Sequence, residues 1–344
     1  MSAYKPRAGA WLTLLIAFAV VLSDSPAQAW YLATHRLIAL MAYERLSDDV
    51  RTEAVKILRN HESFQSDFVA AMPSSLDKND SAAVDRWMFC QAAAWPDLIG
   101  AARFVARNKH DHPTWHYINY PVFLSSDQQR RLQPGLRDNL ATRVDAAADL
   151  AELNVVQALK LSRSTVENSN APSAVRSTAL CWLLHLVGDA HQPLHDASLF
   201  TEKTFPNGDR GGNRIPIIKG NNLHLFWDSF PSPQGSAEDI QAQAARLAAT
   251  PLTEAQAEAA LSLDLAQWIA ESREIAQTAV YSDEVLRVVR AAEEAPGKPV
   301  APIDLSGEYI KTAERVAQMR INQAALRLAA LLECSFAPKL CPQE

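Results

Sequence analysis

Apolar residues recur every three or four positions through most of the chain, the period of helices with one buried face. "THRLIALMAYERL", residues 34–46, is the first such stretch, and "SDD" is placed to cap a second helix over 48–61. "SAAVDRWMFCQAAAW", 81–95, predicts a helix ending near Pro96. "RDNLATRVDAAADLAELNVVQALKLS", 137–162, predicts one long amphipathic helix. "APSAVRSTALCWLLHLVGDA", 171–190, is apolar on every side, which predicts the central buried helix, and Pro193 in "HQPLH" breaks it. "NGDRGGNRIPIIKGNN" is the only Gly-rich stretch and reads as a loop or short hairpin. Helices are expected near 236–248, 253–275 and 305–333, with "EEAPGKPVAPID" as a loop between the last two. The fold class is all-α with few short strands, in one domain over residues 30–344.

Composition agrees with this. Only 11 of 344 residues are Gly, and Ala/Leu-rich stretches dominate, a balance that favours helix. With 48% hydrophobic residues, the chain can bury a sizeable core. The formal net charge of −6 gives no global attraction for nucleic acid or anionic membrane. An anionic substrate would need a local source of positive charge, such as bound metal.

Residues 1–29 read as a cleaved signal peptide: Lys5 and Arg7, an apolar run from Ala10 to Leu22, and "AQA" at Ala27–Ala29. The expected product starts at Trp30 and is exported, to a periplasm or out of the cell. No later segment approaches 18 uninterrupted apolar residues, so no stable membrane association is expected; a monomer is expected. Export permits oxidation of cysteines. Cys334–Cys341 would close a short C-terminal loop, while Cys90 and Cys181 would either link two helices or remain buried thiols.

The histidines and aspartates carry the chemistry. His185 and Asp189 stand four apart on the predicted central helix and so share one face. A carboxylate on so apolar a helix needs a partner, and a cation held by both side chains would supply it. His195 follows the Pro193 break, and His224 and Asp228 repeat the four-residue spacing in "NNLHLFWDSF". Asp97 lies near a predicted helix end, and His116 opens a short apolar segment. With His35 these make eight neutral-imidazole or carboxylate donors, the ligands of hydrolytic zinc. One catalytic zinc keeps three protein ligands, so the number suggests two or three metals. For the other four the structural reading is preferred: His61 caps a helix end, His110 and His112 lie in a loop, and His191 is solvent-facing or supports the ligands.

Taken in order, these residues match a known pattern. Trp30 is followed five residues later by His35. Trp95-Pro96-Asp97, Trp115-His116-Tyr117-Ile118-Asn119, the His185/Asp189/His195 set, and Asn222-Leu223-His224 with Trp227-Asp228 follow. The chain resembles the S-one/P-one nucleases, secreted zinc-dependent nucleases and nucleotidases. The resemblance implies three zinc ions. One would use Asp97, His116, His185 and Asp189. A second would use Trp30, through its free amino group and carbonyl, with His35 and a bridging Asp189. The third would use His195, His224 and Asp228. Three dications against three carboxylates would make a local anion trap on an acidic protein. The resemblance further implies hydrolysis of single-stranded RNA or DNA, or of 3′-nucleotides, to 5′-phosphorylated products. Asp97 would also orient the attacking water, Tyr117 would stack on a base and Asn119 would hydrogen-bond it. One position departs from the pattern: Gly100 stands where the family usually has Arg or Lys, and Arg103 is the expected substitute. A zinc-dependent phospholipase C and a non-catalytic zinc-binding protein are the competing readings. The five-residue Trp–His spacing and the terminal Asp228 favour the nuclease over the lipase.

Overall fold

The computed structural model describes residues 31–99, 109–145, 148–231, 235–250 and 252–337. The signal peptide, Trp30, Gly100, Arg103 and the Cys334–Cys341 pairing therefore fall wholly or partly outside the described residues. Helices dominate: α1 (Leu32–Tyr43), α2 (Asp48–Leu58), α3 (Ser81–Ile99), α4 (Ser126–Leu132), α5 (Val155–Glu167), α6 (Ser173–Asp189), α7 (Leu223–Asp228), α8 (Ala237–Ala248), α9 (Glu254–Ala260), α10 (Leu265–Ile275), α11 (Asp283–Glu294) and α12 (Gly307–Phe336). One strand pair, β1 (Tyr120–Phe123) and β2 (Ala197–Phe200), runs parallel, with Tyr120 opposite Ala197 and Phe123 opposite Phe200. The architecture is all-α, as the periodicity predicts. Among the described residues, no helix is long and apolar enough to cross a membrane.

The central helix is the expected one. Every residue of α6 from Leu180 to Asp189 is buried, and α6 packs against α1, α2, α3, α5 and α12. The apolar side chains form two clusters. Leu186, Val187 and Ala190 belong to the larger, with α1–α3, α5 and much of α12. Leu194 and Ala197 belong to the smaller, with β1, α7 and α11. The chain thus leaves one core and enters the other between Ala190 and Leu194, and the polar residues of that junction are buried with it.

Several expected elements differ. The long helix over 137–162 is α-helical only from Val155, preceded by a single 3-10 turn at Leu150–Glu152. Asn154 interrupts it: its side-chain oxygen takes the N–H groups of Val156 and Gln157, while its amide nitrogen donates to the carbonyls of Asn139 and Ala141. Residues 139–143 are therefore a strap laid over the start of α5, with Gln157 also donating to Arg143 and Lys160 to Thr142. Asn154→Ala should cost about 1–2 kcal/mol, the loss of a helix cap plus two strap contacts, measurable as a lower urea midpoint.

Helix α3 continues through Pro96 to Ile99 rather than ending at it. Proline forfeits one helical N–H, and the buried packing of Trp95 and Ile99 carries the last turn past it. The expected helix over 253–275 is two helices. Asp264 caps α10 by accepting from Ala266 N–H, which ends the continuity with α9. Residues 283–294 carry no expected element yet form α11, with Val285, Val289 and Ala292 buried. Ser47 does not cap α2 with its side chain; its N–H and hydroxyl instead bond the Glu333 carboxylate. Cys90 and Cys181 are free and buried, so no bond links α3 to α6. Burial pushes the Cys90 thiol up to about 12, so it remains a thiol at neutral pH.

Candidate metal centre

The last residue of α6 organises the site. Asp189 is fully buried, and its two oxygens face different partners. Oδ2 lies 3.0 Å from His116 Nδ1 and 3.2 Å from His185 Nε2. Oδ1 lies 3.4 Å from His35 Nε2 and 3.8 Å from His195 Nδ1. Asp97 Oδ1 adds a second carboxylate, 3.6 Å from His185 Nε2 and 3.9 Å from His116 Nδ1. Beyond them, Asp228 Oδ2 lies 3.2 Å from His224 Nε2, and Asp228 Oδ1 lies 4.0 Å from His195 Nε2. Among the described residues, three sets each bring one donor atom per residue within 4.8 Å of the others: His35/His185/Asp189, Asp97/His116/His185 and His195/His224/Asp228.

Local structure explains the convergence. His185 and Asp189 are one turn apart on α6, and Asp97 sits in the last turn of α3. The β1–β2 pair extends back towards the site. Ile118 N–H donates to His195 O at 2.8 Å, and His195 Nδ1 bonds His116 O at 2.7 Å, so His116 and His195 are set side by side. Helix α7 is short, is capped by the Asn222 side chain, and carries His224 and Asp228 at its two ends. His35 comes from α1 and stacks on His185 with ring centroids 3.8 Å apart.

Backbone carbonyls orient three of the rings. His185 Nδ1 bonds Ala93 O at 2.8 Å, His195 Nδ1 bonds His116 O and His224 Nδ1 bonds Gly211 O at 2.7 Å. His195 and His224 therefore carry a hydrogen on Nδ1 and turn the Nε2 lone pair inward, the usual arrangement around a metal-binding imidazole.

Burial sets the charge state. It pulls His195 down to about 3, with Asp189 opposing and His224 reinforcing, and pulls His224 down to about 4 against the bond to Gly211. Both rings are neutral, the form that binds metal. Burial also pulls His185 down, but Asp189 and Asp97 outweigh it and raise the ring to about 9. Asp189 is held well below the carboxylate range: burial pushes it up, and His185, His116 and His35 more than reverse that. Asp228 is pushed well above that range by burial, which Gln192 only partly offsets.

The donor set fits metal ions. His35 Nε2, Asp97 Oδ2, Asp189 Oδ1, His195 Nε2, His224 Nε2 and Asp228 Oδ2 are buried without a hydrogen-bond partner. Native interiors rarely leave such atoms orphaned. The 3.0–3.9 Å spacings among Asp97, His116, His185 and Asp189 bracket the ~3.3 Å ligand–ligand edge of a tetrahedral zinc with bonds of ~2.0–2.1 Å.

A profile of the S1/P1 Nuclease family matches residues 30–337. The chain belongs to this family. Nuclease S1 of Aspergillus oryzae is 29% identical over 175 residues, 49% of this chain and 57% of that protein. Endonuclease 3 of Arabidopsis thaliana is 31% identical over 185 residues, 51% of this chain and 58% of that protein. The chain thus matches under two thirds of the length of these two. Endonuclease 4 of the same plant is 27% identical over 288 residues, 80% of this chain and 85% of that protein.

Within this S1/P1 nuclease fold, Tyr117 and Asn119 are half-buried beside His116, and Asn119 hydrogen-bonds the Asp138 carboxylate. The remaining histidines lie outside the three sets. His61 is buried against Trp95 and accepts the Ser63 N–H. His110 pairs with Glu62, and His112 stacks on Trp115. His191 is not solvent-facing: it is fully buried, with Nδ1 donating to Val187 O and Nε2 accepting from Arg327.

Two positioning residues escaped the sequence reading. Gln192 donates to Asp228 Oδ1 at 2.7 Å and fixes that carboxylate; its place inside "HQPLH" was the available signal. Gly188 is the other. A Cβ there would lie 2.9 Å from His35 Nδ1 and 3.0 Å from His35 Cε1. The glycine lets α1 bring the His35 ring against α6. Gly188→Ala should cost about 1–3 kcal/mol through overpacking and lower metal occupancy at the His35 set, checked by thermal denaturation with elemental analysis.

Proposed function

We propose that the chain is a zinc-dependent phosphodiesterase that hydrolyses single-stranded RNA and DNA to 5′-phosphorylated products, with 3′-nucleotidase activity at the same site. The observation that carries this is Asp189, a buried carboxylate whose Oδ2 faces His116 and His185 while its Oδ1 faces His35. That is the disposition expected of a ligand shared between two cations.

Asp97, His116, His185 and Asp189 would hold one zinc, Trp30, His35 and Asp189 a second, and His195, His224 and Asp228 a third. Tyr31 supports the assignment of Trp30: its N–H donates to the Asp228 carbonyl at 3.4 Å, so the residue after Trp30 is fastened beside the site. Bound zinc supplies water with a pKa near ~7 and charge compensation for a phosphate ester. The chain's own groups do the rest. Asp97 Oδ2, buried and unpartnered, is the acceptor assigned to the proton of the attacking water. Neutral His195 and His224 can ligate without first losing a proton. Tyr117 offers a ring face to a base and Asn119 a polar edge. Such stacking requires an unpaired base and is worth ~1–3 kcal/mol per base, which favours single strands. We further assign residues 30–344 to a single exported domain released from the signal peptide, and we take the protein to be a monomer.

The test is release of acid-soluble nucleotides from denatured DNA and RNA with and without zinc, beside choline release from phosphatidylcholine. Zinc-dependent nucleotide release is expected. Choline release alone would transfer the protein to the lipases, and activity on neither substrate would leave a zinc-binding protein.

A further inference from the structure

Residues 203–219 carry four cations, Lys203, Arg210, Arg214 and Lys219, against one carboxylate, Asp209. Asp209 is fully buried, whereas all four cations are exposed. On a chain of net charge −6 this is a local excess of positive charge. It lies beside the His195/His224/Asp228 set, because Gly211 in the same segment bonds the His224 ring.

The backbone of Arg210 is tightly constrained. Its φ is 59°, in the left-handed region that residues other than Gly seldom adopt; strain of this kind concentrates at functional sites. Both neighbours are anchored. Asp209 accepts the Leu199 N–H at 2.9 Å and the hydroxyls of Ser198 and Tyr281. Gly211 accepts from His224 Nδ1, and a Cβ at Gly211 would lie 2.2 Å from the Leu194 carbonyl oxygen, so no side chain fits between the loop and the site. The Arg210 carbonyl also accepts both the backbone and the side-chain N–H of Asn213. The guanidinium is exposed above this fixed backbone, close enough for its charge to act on the phenol of Tyr117, the residue after His116. Arg210 thus directly precedes Gly211, whose carbonyl holds the His224 ring of the third set.

We infer that Arg210 binds substrate: its guanidinium contacts a backbone phosphate of a single-stranded nucleic acid whose base lies against Tyr117. The inference rests on the function proposed above. A planar guanidinium can donate two parallel N–H groups to one phosphate.

The φ of Arg210 provides a clean variant. Glycine adopts this conformation without strain, so Arg210→Gly removes the guanidinium and keeps the backbone turn. The probe is a fluorescent phosphorothioate oligothymidylate, which resists cleavage, titrated by anisotropy against the zinc-loaded protein over a salt series. We expect Arg210→Gly to bind on the order of tenfold more weakly at low salt. Its plot of log affinity against log salt should flatten by about 0.7, one phosphate contact on a single strand. Arg210→Lys should keep the slope, and KM for single-stranded DNA should rise in Arg210→Gly with zinc content and Tm unchanged. An active wild-type protein whose Arg210→Gly variant keeps affinity and slope would overturn this assignment alone. A zinc-loaded wild type that neither binds nor cleaves the oligonucleotide would overturn the functional reading and this assignment with it.

Discussion

Asp189→Asn should lower kcat/KM on denatured DNA by on the order of a thousandfold, about 4 kcal/mol in the barrier. The amide keeps the shape of the carboxylate and removes its charge. Both oxygens of Asp189 face imidazole nitrogens, so an NH₂ in either place presents hydrogens where a cation would sit. The zinc content should fall with the rate, by at least one ion per chain, and near- and far-ultraviolet circular dichroism should show the fold retained. Elemental analysis beside steady-state kinetics decides the matter. Full activity with full zinc would show that Asp189 merely satisfies its histidines.

Arg320→Met should produce the largest loss of stability away from the site, about 3–5 kcal/mol. Arg320 of α12 is fully buried at the end of the metal-bearing helix. It donates to the carbonyls of Ala190, His191 and Trp268, to the Ser272 hydroxyl and to Glu271. Helix C-termini leave carbonyls without intrahelical donors and carry partial negative charge, and here a guanidinium meets both needs. Burial lowers Arg320 to about 10, with Glu271 opposing, so it is charged at neutral pH. Arg327 closes the network by bonding both Glu271 oxygens and His191 Nε2. The removed side chain would leave those carbonyls buried and unpaired, and Met fills much of the volume without donating.

The same network predicts a pH dependence. Burial pushes Glu271 up, but Arg327 and Arg320 outweigh it and hold the carboxyl below its usual range. Its stabilisation is complete above the unfolded pKa of ~4.3 and is lost as pH falls through the lower folded value. Tm should therefore fall on acidification below about pH 4.3, and less steeply in Glu271→Gln, whose Tm at neutral pH is already reduced.

The metal-centre residues were legible because they obey local rules. The four-residue His/Asp spacing survives on α6 and α7, and the apolar run around His185 marked the helix that became central. His35 and Asp97 were readable only through the larger pattern of motifs, since neither spacing nor burial singles out one His on α1 or one Asp after a proline. What the periodicity misjudged was decided by side chains bonding the backbone. Asn154 and Asp264 capped helices inside stretches whose apolar spacing ran on, and Asn139 and Gln157 held a strap against α5. Helix α11 was readable from the helical spacing of Val285, Val289 and Ala292. The tertiary partners of Gly188 and Arg320 are dozens of residues distant, so nothing in their own neighbourhood announces the role. Arg103 and Gly100 lie outside the described residues.

The most direct test is the anomalous difference map of the purified protein measured across the zinc absorption edge. The account predicts zinc peaks within about 2.0–2.2 Å of donor atoms from His35, Asp97, His116, His185 and Asp189, and another among His195, His224 and Asp228. A map from zinc-replete crystals without such peaks, the same side chains hydrogen-bonded to one another or to water, would contradict it.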